Sequence, residues 1–176
     1  MPLERMKPVN ALQTKPFDAA AAIAYAQQWA TARNPKYADF ETMGGDCSNY
    51  ISQCLLAGGA VMNETPDTGW YYRSLNSRAP AWSGVLFLWD FLLNNRGRGP
   101  FGHEIPLEQA RPGDIIQLKF AGKPDFSHTV LVIFASDPAA PGNVLVNAHS
   151  YDCADRPLDS YSYVAARALR VDGVRA

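Results

Sequence analysis

The spacing of hydrophobic residues changes near the middle of the chain. In the first half they recur every three or four residues, which predicts amphipathic helices. In the second half, alternating and β-branched apolar residues are separated by short turns, which predicts an antiparallel meander. Helices followed by strands indicate an α+β fold, with the N-terminal helices packed on an antiparallel β-sheet. The predicted helices span 19–33, 47–57 and 85–95, and the predicted strands span 114–120, 128–134, 144–149 and 167–171.

The length and composition fit one globular domain. The chain has 176 residues, which is enough to bury a core. We expect a loose leader over 1–16 and a single domain over 17–176. Residues 1–13 contain two prolines and lack the apolar segment of a signal peptide. No apolar run approaches the roughly 18 residues of a membrane span.

Charge and cysteine content narrow the classes of partner and cofactor. The 16 Lys and Arg residues nearly balance the 17 Asp and Glu residues, which argues against a nucleic-acid partner. The three cysteines leave at least one unpaired, and the chain has no C-x-x-C motif that would predict a structural zinc site. We therefore predict neither a metal nor a cofactor.

The region around Cys47 is the strongest candidate for chemistry. Gly44 and Gly45 precede Asp46, whose carboxylate suits the N-cap of a helix. Cys47 then lies in the first helical turn, where the partial positive charge lowers the pKa of a thiol below its usual value of roughly 8.5. This is a position for a nucleophile. From this stretch alone, a small buried core residue is an equal alternative, and Cys54 in the same helix fits that alternative well.

A histidine and two further polar residues lie on neighbouring predicted strands. His128 begins its strand, where one ring nitrogen can face a reacting group; a half-buried histidine bonded to a backbone carbonyl is the alternative. On the next strand, alternation places Asn147 and His149 on one face. If the strands pair, one of these two side chains could orient the His128 ring, as the third member of a triad does. With Cys47, the set suits thiol nucleophilic catalysis.

The irregular segment 60–82 is rich in aromatic residues, including Trp70, Tyr72 and Trp82. Such a segment is either a wall of a substrate site or a loop pinned to the core by its large side chains. The sequence leaves both alternatives open. We expect His103 to lie in a surface loop without a partner.

The stretch 44–59, GGDCSNYISQCLLAGG, resembles the signature of the Putative amidase domain family of bacteria. That family is related to the NlpC/P60 and CHAP cysteine peptidases, which have a papain-like fold. The resemblance covers residues 17–163. Its supporting segments are NPKY at 34–37, Gly69-Trp70, PGDII at 112–116, SHTV at 127–130, AHSYD at 148–152 and Pro157-Leu158.

The resemblance implies a role for several residues. Cys47 would be the nucleophile and His128 the general base. His149 matches the family's polar third residue, with Asn147 as the alternative on geometry. Tyr37 would help to stabilise the oxyanion.

The resemblance also implies a papain-like fold and a cysteine amidase or peptidase that forms an acyl-enzyme on Cys47. Cell-wall peptides are the usual substrates of the relatives, so the resemblance implies a peptide or peptidoglycan-like substrate. It also favours a secreted or cell-envelope location, whereas the missing signal peptide leaves a cytosolic location open. We predict that Asp46, Trp70 and Trp82 contact this substrate. The alternatives are an inactive module that binds the cell wall, or an acyltransferase that uses the same thioester.

Overall fold

The computed structural model describes residues 11–176. Most of the predicted leader over 1–16 lies outside this part of the chain. Its end is not loose, because the short strand β1 (Thr14–Lys15) pairs with Arg175 and Val174 near the C-terminus. For these two residues the prediction of a loose leader is wrong, since a two-residue strand leaves no periodicity in the sequence.

Four helices precede most of the sheet, and the longer ones lie where the apolar spacing predicts them. Helix α1 spans Ala19–Trp29, and Asp18 caps it by accepting a hydrogen bond from the N–H of Ala21 at 2.9 Å. Helix α2 spans Cys47–Ala57 and ends at Gly58. The short helix α3 (Pro80–Ser83) leads into α4 (Val85–Asn94), whose N-cap is Gly84.

Within residues 11–176, the main sheet has seven strands, of which the sequence predicts some and misses others. Strands β5 (Ile115–Phe120), β6 (His128–Ala135), β7 (Val144–Ala148) and β8 (Cys153–Pro157) form the antiparallel meander. The last strand, β9 (Tyr163–Arg175), pairs with β1 and β5 along one edge and with β4 (Gly99–Ile105) along the other. A separate hairpin joins β2 (Tyr72–Ser74) and β3 (Ser77–Arg78).

Strand β4 corrects the expectation for His103. We predicted a surface loop, but His103 pairs with Arg170 in the sheet, and its Nδ1 lies 2.8 Å from the carboxylate of Asp172. Glycines and a proline in this segment mask the strand pattern in the sequence. The segment is recognised as a strand only from its pairing with β9 in the structure.

A hydrophobic core lies on each face of the sheet. The helices pack on one face, where Tyr50 and Ile51 of α2 meet Leu131 of β6. The other face carries Val130 and Val132 and is covered by loops and short turns of helix. The molecule is therefore α+β, with helices packed on an antiparallel sheet, as the sequence predicts.

The aromatic segment 60–82 belongs to the helix-side core. Trp70 and Trp82 are fully buried, and their ring centroids lie 5.0 Å apart. The indole of Trp70 donates to Ser52 Oγ at 3.0 Å, and that of Trp82 donates to Asn49 Oδ1 at 2.8 Å. The prediction that these two tryptophans contact a substrate is therefore wrong, because neither exposes a surface.

Candidate active site

Cys47 opens helix α2 at the base of a pocket. Positive φ angles at Gly44 and Gly45 (103° and 108°) turn the chain into the helix, a conformation that suits glycine. The apolar face of α2 then packs into the core through Tyr50 and Ile51. The Cys47 side chain is only 4% exposed, yet it lines the pocket.

The carboxylate of Asp46 does not cap helix α2, although Asp46 is the N-cap residue. It is fully buried and accepts hydrogen bonds from the N–H of Phe40 at 2.9 Å and from Asn49 Nδ2 at 2.8 Å. Its other oxygen lies 2.5 Å from Nδ1 of His149. These partners correct the expectation that Asp46 caps the helix and contacts substrate, because a carboxylate so enclosed has no surface for a ligand. The N–H groups of the first turn therefore have no capping side chain.

A chain of polar side chains joins the start of α2 to the sheet. Ser48 Oγ lies 3.4 Å from Oγ1 of Thr129, which also accepts from Gln117 Nε2 at 3.2 Å. Gln117 in turn accepts from Arg167 Nε at 3.1 Å. Since Thr129 follows His128 directly, this chain holds the cysteine helix against the strand that carries the histidine.

The pocket brings Cys47 and His128 together. Its volume is about 750 Å³, and both residues line it. His128 is 6% exposed, and its Nε2 is buried without a hydrogen-bond partner in the described part of the chain. Buried polar atoms nearly always have a partner. The buried Nε2 of His128, which has no partner within residues 11–176 and whose residue lines the same pocket as Cys47, is therefore a candidate proton acceptor.

Burial sets the protonation states of both groups. Burial, together with the positive charge of Arg156, lowers the pKa of His128 to about 4. Burial also raises the pKa of the Cys47 thiol, while the backbone of Thr129 and the Ser48 hydroxyl act in the opposite direction. The net shift of the Cys47 pKa is therefore upward, opposite to the direction expected from the helix N-terminus alone. Near neutral pH the resting pair is a neutral thiol and a neutral imidazole.

Neither candidate for the third residue contacts His128. Strands β6 and β7 pair as predicted, but Leu131 lies opposite Asn147. In this register Asn147 and His149 share the face of Leu131 and Thr129, whereas His128 lies on the alternate face. The amide oxygen of Asn147 accepts from the N–H of Asp155 at 2.8 Å. Asn147 and His149 do share a face, as predicted, but the expectation that one of them hydrogen-bonds the His128 ring is corrected.

His149 joins a buried network on the helix side. Its Nδ1 meets Asp46, its Nε2 donates to the Trp29 carbonyl at 2.7 Å, and its ring stacks on Tyr50 with centroids 4.0 Å apart. Both ring nitrogens are therefore occupied, which corrects the contact with His128 that the sequence suggested. Arg33 closes the network at 3.4 Å from Asp46. Asp46 links His149 to the residue directly before Cys47.

Tyr37 also lies apart from the pocket. Its ring is half-buried and stacks on Trp82, with the centroids 5.8 Å apart, and packs against Tyr72 at 5.2 Å. Tyr37 does not line the pocket that holds Cys47 and His128. Tyr37 was predicted to lie beside the oxyanion, but in the structure it lies outside the pocket that Cys47 lines.

Sequence reasoning missed two residues that flank His128. The Tyr161 ring centroid lies 5.6 Å from that of His128. The guanidinium of Arg156 stacks on the same Tyr161 ring, 3.6 Å from its centroid. Both residues line the pocket. They come from β8 and the turn before β9, neither of which the hydrophobic pattern reveals.

Comparison with known proteins identifies the family. A family described as "Putative amidase domain" matches residues 16–171, which is most of the chain. This chain belongs to that family. The Cys47 helix and the His128 strand both lie within the matched range.

A curated relative adds similarity but no function. The chain is 33% identical over 138 residues to "Uncharacterized protein YhbB" of Bacillus subtilis (strain 168). The match covers 77% of this chain and 42% of the relative, so the chain spans less than half the length of that protein. No solved structure matches the chain significantly.

Residues 11–176 lack both a metal-binding cluster and a membrane-spanning helix. No group of three or more His, Cys, Asp or Glu side chains is arranged to hold a metal ion. None of the helices in this range is long and apolar enough to cross a membrane.

Proposed function

We propose that this amidase-family protein hydrolyses an amide bond through an acyl-enzyme on Cys47, with His128 as the general base. The observation that carries the proposal is the buried Nε2 of His128, which has no partner within residues 11–176 and lies in a residue that lines the same pocket as Cys47. A neutral imidazole with a free nitrogen can accept the proton of a neutral thiol.

The chemistry balances with these two side chains alone. As Cys47 Sγ bonds to the substrate carbonyl carbon, the thiol proton passes to His128 and the carbonyl π electrons move onto oxygen. The N–H groups of the first turn of α2, which lack a capping side chain, would donate to this oxyanion. The C–N bond then breaks and His128 gives its proton to the leaving amine.

Water completes the cycle. It attacks the thioester carbon while His128 accepts its proton, and the C–S bond breaks to release the carboxylic acid. The proton on His128 then returns to the Cys47 thiolate. Each step uses one proton and one base, so no third residue is required for the balance, although an orienting group would raise the rate.

We further propose a papain-like fold and a peptide or peptidoglycan-like substrate, with cell-wall peptides as the first compounds to test. The support is the resemblance of the Cys47 helix and the His128 strand to the NlpC/P60 and CHAP peptidases. A secreted or cell-envelope location and one domain over 17–176 are parts of the same proposal. Incubation with muropeptides, followed by mass spectrometry for new amines, tests the substrate class.

Alkylation by iodoacetamide with peptide mapping tests the thiol chemistry directly. Cys47 should be labelled faster than Cys54, which is fully buried in the core, and faster than Cys153. His128→Ala should lower the rate at Cys47 by about 100-fold at pH 7, the scale of general-base catalysis. Equal labelling of all three cysteines, or the fastest labelling at Cys54, would contradict the proposal.

The pH profile of the same reaction has a defined sign. Protonated His128 cannot accept the thiol proton, so the rate at Cys47 should fall as the pH drops through the lowered pKa of His128, about 4. An ordinary histidine would place this fall near 6.5. A fall near 6.5 in the wild type would show that burial does not lower the pKa of the base, and a fall that persists in His128→Ala would show that His128 is not the base.

The experiments can also favour one of two alternative functions, a wall-binding module or an acyltransferase. The wall-binding module rested on an exposed aromatic loop, and the burial of Trp70 and Trp82 removes that observation. The acyltransferase uses the same Cys47 thioester, with an amine as the acceptor instead of water. Conjugates with added amines, detected by mass spectrometry, would favour it over hydrolysis.

A further inference from the structure

Arg156 is a cation beside the candidate base, held in place by its neighbours. Its side chain is half-buried and lines the pocket. The Nε atom donates to Ser160 Oγ at 2.8 Å, and Nη2 donates to the Ser160 carbonyl at 3.2 Å. The guanidinium also lies flat on Tyr161, 3.6 Å from the ring centroid. These contacts fix the orientation of the guanidinium without neutralising its charge.

The pocket has an excess of positive charge. Three charged residues line it: Glu41, Lys123 and Arg156. Glu41 is paired with Arg33 at 3.4 Å. Within residues 11–176, neither Lys123 nor Arg156 lies within ion-pair distance of a carboxylate, in contrast to the half-buried Arg170, which pairs with Asp114 at 2.9 Å. A fixed, half-buried guanidinium without a counter-ion suits recognition of a carboxylate.

The position of Arg156 indicates which part of a substrate it would meet. The Tyr161 ring contacts both the Arg156 guanidinium and the His128 ring, and all three residues line the pocket, so the guanidinium and the imidazole are neighbours there. In an acyl transfer to Cys47, the base gives its proton to the leaving nitrogen, so the amine fragment lies beside His128. The same fragment therefore lies nearest to Arg156.

We propose that Arg156 binds a carboxylate on the amine fragment of the substrate, next to the amide bond that Cys47 attacks. The substrate class is then an amide formed by an amino acid or short peptide whose free carboxylate lies close to the scissile bond. Arg156 is a specificity-determining residue, and Lys123 at the pocket rim adds attraction at longer range. This inference rests on the proposed function of Cys47 and His128.

A pair of alkylating probes that differ only in charge tests the inference. N-chloroacetylglycine carries the carboxylate, and N-chloroacetylglycinamide is its neutral counterpart. In both, Sγ of Cys47 bonds to the methylene carbon, chloride leaves, and the thiol proton passes to His128. The measured quantity is the ratio of the two alkylation rate constants at Cys47, relative to the same ratio for N-acetylcysteinamide in solution.

The expected ratio for the wild type is roughly tenfold above that of the free thiol, on the scale of one charge-assisted hydrogen bond. Arg156→Gln should return the ratio close to that of the free thiol, and Arg156→Lys should retain part of the preference. Arg175→Gln is the matched control. That guanidinium also stacks on a ring, 3.5 Å from the centroid of Phe101, but lies outside the pocket, so the ratio should stay at the wild-type value.

Two results would overturn the inference. One is a wild-type ratio equal to that of N-acetylcysteinamide. This measurement uses only the wild type, so it does not depend on whether a variant folds. The other is an unchanged ratio in Arg156→Gln. Failure of the proposed function has a different signature: the neutral probe alone would label Cys47 no faster than Cys153, and His128→Ala would not change that rate.

Discussion

At the scale of the residue, the contact between Asp46 and His149 ties the start of the Cys47 helix to the end of β7. Cys47 and His128 could be predicted because each begins an element with a recognisable pattern. Asp46 and His149 are 103 positions apart, and their 2.5 Å contact leaves no local signal. The face occupied by Asn147 depends on the register against Leu131, and a shift of one residue would reverse it.

His149 can be tested as the partner of Asp46. His149→Ala would leave the buried Asp46 carboxylate without one of its partners, so we expect a loss of about 3 kcal/mol in the free energy of unfolding. The rate of Cys47 alkylation should fall as well, because Asp46 directly precedes Cys47. Urea denaturation and iodoacetamide labelling measure the two effects.

His103→Ala is the matched control for this variant. His103 also lies 2.8 Å from a carboxylate, that of Asp172, but its side chain is 55% exposed. An exposed pair contributes at most about 1 kcal/mol, so this variant should be nearly as stable as the wild type. Equal losses in the two variants would show that burial of the Asp46–His149 pair adds nothing to its contribution.

At the scale of the element, helix α2 is fixed at both ends by contacts with distant segments. Its start meets β6 through Ser48 and Thr129. At its end, the carbonyl of Gly58 accepts a hydrogen bond from the N–H of Asp18 at 2.9 Å, which ties α2 to the start of α1. The sequence predicted Gly58 as a helix stop, but it could not show that another segment crosses there.

Gly58→Ala tests this crossing. The φ angle of Gly58 is −75°, which any residue adopts, so the backbone would tolerate alanine. An added Cβ, however, would overlap the ring of Phe17 and lie 3.0 Å from the Asp18 carbonyl oxygen. We expect a loss of about 2 kcal/mol, the scale of an overpacked site, measured by thermal or urea denaturation.

Gly97→Ala is the comparison for Gly58→Ala. A Cβ at Gly97 would lie at ordinary contact distances, 3.5 Å from Asn63 Nδ2 and 3.7 Å from Asn95 Oδ1. This variant should remain within about 0.5 kcal/mol of the wild type. If Gly58→Ala were equally well tolerated, the close approach of Phe17 would not contribute to the position of α2.

At the scale of the whole molecule, the α+β class and the meander from β5 to β7 could be predicted, whereas the closure of the sheet could not. The hydrophobic pattern predicts a short strand at 167–171, but β9 runs over Tyr163–Arg175 and pairs with strands from three separate parts of the chain. Such pairings join residues far apart in sequence, and turn signals between neighbouring segments do not report them. The predicted sheet therefore lacked β1, β4 and β8.

Hydrogen exchange tests whether β9 is the centre of cooperative structure. Leu169 pairs with both Ile115 and Glu104, so its neighbourhood is bonded on two sides, whereas the β2–β3 hairpin has only two strands and is largely exposed. Amides at 168–169 should exchange only through global unfolding, and those of the hairpin at least about 100-fold faster by local opening. Urea dependence distinguishes the two routes, since only global unfolding follows the equilibrium m-value.

Equal rates at 168–169 and in the hairpin would show that β9 does not hold the sheet together. Because β6 joins β9 through β5 alone, similar protection at 129–131 would place the His128 strand in the same unit and explain how the pocket keeps its geometry.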